Sequence, residues 1–524
     1  MASALQREGR PVAEFVCLDD LLDILRDLAP EARLIARPGD GRVQVRGVTL
    51  DSGDVARGDL FAGLPGKRRH GADYADRAAE AGAVALLSDR PDPSLPSLVV
   101  DHPRRVLGAL SARLYGDPSR ALSVYGVTGT NGKTSTAHLL AAGLQAAGHR
   151  AGLASSLETR VPGGGGRPAE RTTAEAPALQ QLLARTRQAG GTDMVLEVSS
   201  HALELARVNG TRFRVALFTN LSPDHLDLHG DLERYYAAKA SLFTPDRCEH
   251  AVVNIGDPHG HRLANETLCP LTTFTMGPEA ADWSARTICA DAAGTRFRLR
   301  GPKVDREVRL RLLGAHQADN AVAAAVALAV GGVDLDAALR GMEALASVPG
   351  RLERIDAGQP FLAFVDFAHN TGGQRRLLPF LRSLTDGRVI VVLGATGERD
   401  PRKRAALGDT AARGADVVII TDESPHSENP ATLRNAIAAG ARRHARAMVH
   451  VEPDRRRALL LAVSAARPGD VVVVAGRGAD QLQISASGSR PFDDRVALYS
   501  ALRRRIAKSS ADGPEQGARG MELG

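Results

Sequence analysis

The period of apolar and polar positions changes along the chain, and the changes divide it into units. Between residues 15 and 119, short apolar runs alternate with polar stretches: VQVRGVTLDS, GDLFAGL and AVALLSD read as strands, and ADYADRAAEAG reads as a helix stopping at Gly82. From Ala121 the apolar runs LSVYGVTG, TDMVLEVSS and RVALFTN are separated by the helical stretches KTSTAHLLAAGLQAAG, DLERYYAAKASLF and AHQADNAVAAAVALAVG. Strands this apolar need cover on both faces, so their alternation with helices predicts a mostly parallel sheet. After Val348-Pro349-Gly350 the pattern starts again. FLAFVDFAHN, GRVIVVLGA, ADVVIITDE and GDVVVVAG are strands, and RRLLPFLRSL, KRAALGDTAARG, PATLRNAIAAGARR and RRRALLLAVSAA are helices. This predicts a second doubly wound unit, with ligands at the carboxyl ends of its strands.

The expected fold is therefore α/β in three domains: a smaller α/β domain over 15–119, a central mononucleotide-binding parallel sheet over 120–348, and a Rossmann-like domain over 349–508. Polar, Gly-rich tails at 1–14 and 509–524 are expected to be disordered.

Composition narrows the function classes. The net charge of +6 is spread over 524 residues, with Lys and Arg interleaved among Asp and Glu. Nucleic-acid binding needs a concentrated basic footprint, so small anionic ligands are expected instead. Cys17, Cys248, Cys269 and Cys289 form no CxxC pair, which argues against a disulfide framework or a zinc site. No signal-type leader and no apolar run of spanning length is visible, so the expectation is a cytoplasmic, monomeric protein without a membrane partner.

The clearest chemistry lies in Gly126-Val-Thr-Gly-Thr-Asn-Gly-Lys-Thr-Ser135. A strand, a Gly-rich turn and a helix opening on Gly-Lys-Thr make a phosphate cradle. Gly129 and Gly132 let backbone N–H groups converge on phosphate oxygens, Lys133 neutralises them, and the Thr134 hydroxyl suits Mg²⁺. The strict GxxxxGK[ST] spacing is not met, because its first glycine falls on Val127.

TGTNGKTS resembles the version of this loop in the Mur ligases, and further segments resemble that family in the same order: LEVSSHALELARV, FTNLSPDHLDLHGDLERYYAAKASLF, VPGRLE, VDFAHN and VVLGATGERDPRKR. LDSGDVARGDLFAGLPGKRRHGADY and RTTAEAPALQ are most similar to the branch that adds the third residue of the cell-wall peptide, the tripeptide synthetases. The resemblance implies an ATP-dependent, ADP-forming acid–amino acid ligase of peptidoglycan precursor synthesis. A carboxylate of UDP-N-acetylmuramoyl-L-Ala-D-Glu would attack the γ-phosphate of ATP, and an amine would then displace phosphate from the acyl phosphate. Bringing two anions together requires concentrated positive charge.

By the same resemblance, Thr128, Gly129, Thr130, Asn131, Gly132, Lys133, Thr134 and Ser135 cradle ATP, with His316, Asn320, Arg351, Asp366 and His369 as further nucleotide contacts. Lys133, Lys239, Glu197 and His225 are the implied catalytic set. Thr134, Glu197, His225 and Lys239 are the implied magnesium ligands, Lys239 through carbamylation, which would turn its positive charge negative. Ser52, His70, Gly71, Thr172, Thr173, Ser199 and Arg207 are implied contacts to the UDP-sugar peptide. Arg399, Glu423, Ser424, Pro425, His426, Gly476 and Asp480 are implied contacts to the incoming amino acid.

Departures gather at that last site. The branch adding diaminopimelate carries Asp-Asn-Pro-Arg where this chain has Glu423-Ser424-Pro425-His426, and Gly-Lys-Gly-His-Glu where it has Gly476-Arg477-Gly478-Ala479-Asp480. An imidazole does not replace a bidentate guanidinium. Gln317, Asn370 and Pro223 also differ from the usual residues. The identity of the added amino acid is left open. So are a Mur-like paralogue making an amide in a specialised peptide or nucleotide pathway, a P-loop ATPase without ligase activity, and a non-catalytic nucleotide-binding scaffold.

Overall fold

The computed structural model describes residues 16–511 except 38, 67 and 68, so the expected tail at 1–14, and residues 512–524 of the tail expected at 509–524, lie outside the described residues. The final helix, Asp494–Ala511, runs three residues past the boundary expected at 508.

In the first unit a five-stranded sheet has the order Arg33–Ile35, Ser97–Val99, Ala85–Ser88, Asp59–Ala62, Gly47–Thr49, parallel except at its first pair. The helix Leu18–Leu28 packs Leu18, Leu21, Leu22 and Leu25 onto it; their i, i+3, i+4, i+7 spacing makes one apolar stripe. The stretch expected as one helix before Gly82 begins instead as a 3₁₀ turn, Gly71–Tyr74, and becomes α-helical at Ala75–Glu80. The His70 ring caps that turn, its Nδ1 accepting from the Ala72 amide at 3.1 Å.

The central sheet has eleven strands. Six parallel strands run in the order Ala151–Ala154, Asp193–Glu197, Ser123–Thr128, Phe213–Phe218, Cys248–Asn254, Leu271–Thr275. The helices Lys133–Ala146 and His316–Val330 cover one face, and Ala176–Gln188 and Leu232–Ala240 the other. Beyond Leu271–Thr275 the sheet continues as an antiparallel meander, Trp283–Asp291, Gly294–Gly301 and Val304–Leu310.

The third sheet runs Glu353–Arg354, Leu362–Asp366, Val471–Ala475, Val389–Leu393, Val417–Ile420, Met448–Val451, antiparallel only at Glu353–Arg354. Its four central strands are the four expected from the apolar runs, and separate hydrophobic clusters cover its two faces. The chain is thus α/β in three domains, and the carboxyl ends of the second and third sheets face a common cavity.

Candidate active site

That cavity has a volume of about 810 Å³ and is lined from both larger domains. On the central side the phosphate loop joins the strand Ser123–Thr128 to the helix Lys133–Ala146. Gly129 and Gly132 have φ of 145° and 90°, and a Cβ there would lie 2.0 Å from Thr219 Oγ1 or 2.3 Å from Asn320 Oδ1, so only glycine fits. The loop is braced from behind: the Thr130 amide donates to Asn220 O at 2.8 Å, and the Thr219 hydroxyl and Asn220 amide both donate to Asn131 O. Residues 130–135 line the cavity, while Thr128 and Gly129 form the base of the turn outside its lining.

Two lysines converge on one carbonyl. Lys133 Nζ donates to Gly129 O at 3.0 Å and Thr130 O at 2.9 Å, and Lys239 Nζ donates to Gly129 O at 2.8 Å. Lys239 is buried, 4.6 Å from the centre of the Tyr235 ring. Burial first, and repulsion from Lys133 second, push its pKa well below the ordinary lysine value, toward a neutral nucleophilic amine. Burial also lowers Lys133, against the opposing pull of Glu197.

Glu197, buried at the end of its strand, accepts from the Ser156 amide at 2.9 Å. Thr134 Oγ1 meets Ser156 Oγ at 3.0 Å, and Arg351 from the third domain donates to both hydroxyls, at 2.8 and 3.3 Å. The Arg351 guanidinium lies 4.2 Å from the Phe367 ring centre. Asp366 holds that turn, accepting from the Leu352 and Ala368 amides at 2.7 Å each. Asp366 therefore acts here as a brace between two loop amides, although it also lines the cavity.

Asp224 ties the two large domains together. Its carboxylate accepts from Asn370 Nδ2 at 3.1 Å and lies 3.3 Å from His369 Nε2 and 3.8 Å from Lys403 Nζ. Burial would raise this carboxyl, but the His369 contact and the cations around it hold it well below the usual range. The next residue, His225, has φ 54°, and its ring packs edge-on against His201 at 4.8 Å. Burial lowers His225 to about 3 and His201 to about 4, so both imidazoles are neutral at pH 7 and keep a lone pair.

His316, Gln317 and Asn320 reach the cavity from the start of the helix His316–Val330, with Asn320 Nδ2 donating to Gln317 Oε1 at 2.9 Å. Thr172, Thr173, Ser199 and Arg207 line the central side, where the Thr173 hydroxyl donates to Glu197 O at 2.8 Å. Ser52, His70 and Gly71 stand apart in the first domain. His70 Nε2 pairs with Asp89 at 2.8 Å, and Gly71 approaches the backbone of Leu64 too closely for a Cβ.

The expected acceptor residues divide. Arg399, Glu423, Gly476 and Asp480 line the cavity, whereas Ser424, Pro425 and His426 do not. Ser424 Oγ accepts from buried Arg477 and from the Ile484 amide, at 3.2 Å each, and the His426 amide donates to Ile484 O at 3.1 Å. These three residues anchor the loop behind Glu423. Sequence reasoning missed Ser156 and Lys403, and it noted Asn370 only as a departure from the usual residue. Lys403 sits inside the GERDPRKR segment and was open to notice; nothing in SSLETR marks Ser156.

Among the described residues no three His, Cys, Asp or Glu side chains gather closely enough to hold a metal. Magnesium does not require such a cluster, because it binds through one or two carboxylates together with waters and substrate phosphates. Glu197 and the Thr134 hydroxyl, both bordering the cavity beside Ser156, fit that pattern, with His225 as a neutral nitrogen donor.

Comparison with known proteins agrees with this layout. Residues 44–115 match the catalytic domain of the Mur ligase family, 127–328 its middle domain and 350–478 its glutamate ligase domain. The chain is 45% identical over 472 residues to a UDP-N-acetylmuramoyl-L-alanyl-D-glutamate–2,6-diaminopimelate ligase of Streptomyces avermitilis, covering 88% of this chain and 93% of that protein. It is 42% identical over 518 residues to a UDP-N-acetylmuramyl-tripeptide synthetase of Leifsonia xyli, covering 96% and 98%. A solved structure of a UDP-N-acetylmuramoyl-L-alanyl-D-glutamate–2,6-diaminopimelate ligase superposes with a TM-score of 0.65 at 28% identity, covering 94% of this chain and all of that one. The fold and the phosphate-loop cavity define a ligase-type nucleotide enzyme, and the chain belongs to the Mur ligase family.

Proposed function

We propose that the chain is an ATP-dependent, ADP-forming ligase that joins an amino acid to UDP-N-acetylmuramoyl-L-Ala-D-Glu in peptidoglycan precursor synthesis. The observation that carries this reading is the meeting of the two large domains over the phosphate loop, where Arg351 reaches Thr134 and Ser156. Lys133 and Arg351 supply fixed positive charge where a carboxylate and a triphosphate would approach each other. Mg²⁺, when bound, neutralises further phosphate charge there, and Thr134, Glu197 and His225 are the residues to hold it.

Lys239 enters this scheme as a neutral amine in a buried pocket, the form that reacts with carbon dioxide. As a carbamate it would turn from a cation that repels the metal into an anion that attracts it. Thr172, Thr173, Ser199 and Arg207 form the donor side, and Ser52, His70 and Gly71 the uridine side in a first unit over 15–119. Units over 120–348 and 349–508 hold ATP and acceptor. Asp224, with His369, Asn370 and Lys403, keeps the last two closed, which matters because acyl phosphates hydrolyse in water. Both nucleotide substrates are cytoplasmic metabolites, which sets the compartment.

The test is incubation with ATP, Mg²⁺, the UDP-sugar dipeptide and single amino acids, read by mass spectrometry. Ligated product with at least one amino acid is expected, and none with Lys133→Ala. Full turnover by that variant would remove the role given to Lys133, and ATP hydrolysis indifferent to donor and amine would sink the reading in favour of a plain ATPase.

A further inference from the structure

The acceptor corner of the cavity carries an unbalanced negative charge. Glu423 is only 5% exposed. Its Oε1 accepts from the Thr396 hydroxyl, and its Oε2 has no hydrogen-bond partner among the described residues. Gly476, at φ 112°, lies over that oxygen, and a Cβ there would come within 2.5 Å of it. Asp480 borders the same cavity and is open to it. Although it is open to the cavity, Asp480 is partly screened from bulk water by the surrounding walls, and this desolvation, with the charge of Glu423 and against the pull of Arg477 and Arg351, pushes its carboxyl above the ordinary value.

The two arginines buried beside this corner are already engaged. Arg455 makes a bidentate pair with Asp494 at 2.7 Å, both residues fully buried. Arg477, also buried, donates to Ser424 Oγ and to the carbonyls of Asp480, Leu482 and Phe492. Arg455 and Arg477 balance Glu423 and Asp494, and Arg351, which also acts on Asp480, is shared with Glu197 and Asp366, so Asp480 adds negative charge to this corner of the cavity. Farther along the lining, Lys403 faces Asp224 at 3.8 Å and Arg402 is paired with Asp400. Arg399, 4.0 Å from Asp227, remains able to take one carboxylate. His426 does not reach the lining.

We infer that the acceptor is a diaminomonocarboxylic acid, whose side-chain ammonium seats between Glu423 and Asp480 while its single carboxylate pairs with Arg399. The corner offers a seat for a cation, and among the described residues the two arginines buried beside it, Arg455 and Arg477, are not free for a second carboxylate. The acceptor class therefore differs from the diaminopimelate in the names of the relatives above. This inference rests on the ligase reading for the role of the corner, and it can be tested apart from turnover.

The experiment is calorimetric titration of the full-length protein, saturated with ADP and Mg²⁺, with L-lysine, L-ornithine, L-2,4-diaminobutyrate, L-norleucine and meso-diaminopimelate. At least one of the three diaminomonocarboxylates is expected to bind about tenfold or more tightly than both norleucine and diaminopimelate, the size of one charge-assisted contact. Glu423→Gln and Asp480→Asn should each erase the preference over norleucine, with ADP affinity measured alongside to show that the cavity is intact. Asp480 is open to the cavity, so its variant tests the idea even where Glu423→Gln misfolds. Diaminopimelate or norleucine binding as tightly as the best diamine, or no amino acid binding at all, would overturn the inference. Trapping of the donor's acyl phosphate with hydroxylamine as a hydroxamate tests the ligase reading separately: its absence beside a retained diamine preference would remove that reading and leave the cation seat standing.

Discussion

Replacing Asp224 by Asn tests whether one carboxylate closes the third domain onto the second. The substitution keeps the shape and the acceptor for Asn370 Nδ2 but removes the charge facing Lys403 at 3.8 Å and, when protonated, His369 at 3.3 Å. At an effective dielectric of about 20 each contact carries about 4–5 kcal/mol of Coulomb attraction. Desolvation of the buried carboxylate offsets much of it, and removing one partner of a buried pair costs about 3–5 kcal/mol. The side chains of Lys403 and His369 are 24% and 28% exposed and regain some solvation, which brings the expected loss to about 2–3 kcal/mol. That is roughly a 30- to 150-fold shift toward the open arrangement. Hydrogen–deuterium exchange would read it in residues 367–375 and 399–407, with the central strand Ser123–Thr128 as an internal control. Faster exchange confined to the first two segments is expected. Wild-type exchange in all three, from a folded variant, would refute the clasp.

Three further outcomes follow from the same geometry. Gly132→Ala places a Cβ 2.3 Å from Asn320 Oδ1 at a φ of 90°, which costs about 1–2 kcal/mol in backbone strain before the clash is counted; ADP affinity should fall by more than about tenfold, and unchanged affinity would contradict the cradle. Arg455→Met leaves Asp494 short of a partner in a fully buried site and should lower stability to urea by about 3–5 kcal/mol, whereas Arg455→Met with Asp494→Leu, which removes one charge of each sign, should cost less than the single change. The Asp470 carboxyl, which burial would raise, is held below its ordinary value by hydrogen bonds from Arg388 and nearby amides, so its contribution is present above the ordinary carboxylate pKa and is lost as pH falls through the lower folded value. Asp470→Asn should therefore flatten the acid limb of the stability profile below about pH 4 and be most destabilising near neutrality; an unaltered acid limb would count against the pairing.

Much of the molecule is legible in residue order because its signals are local. A fully apolar run such as VVVVA has to be covered on both faces, so the central strands of both larger sheets can be read before any contact is known. The phosphate loop is equally local: Gly129, Gly132, Lys133 and Thr134 lie within six residues, and their backbone requirements are written in their types. The meander over Trp283–Leu310 was overlooked although TRFRLR alternates strictly, a period-two signal hidden by the number of arginines on its outer face. The edge strand Met448–Val451 has little apolar burial and gave no such signal.

What residue order could not decide is which distant groups share a volume of a few ångströms. Asp224 meets Asn370 across 146 positions, and Arg351 meets Thr134 across 217; no periodicity encodes either contact. Folding likewise separated Glu423, whose carboxylate borders the cavity, from Ser424, Pro425 and His426, which a motif treats as one unit but which the backbone turns behind the wall. Local preference depends on a few neighbouring torsions, whereas a site depends on burial and charge balance summed over three domains. The phosphate loop could thus be read from the chain itself, while the charge of the corner around Glu423 took shape only when Arg455, Arg477 and Asp494 closed behind it.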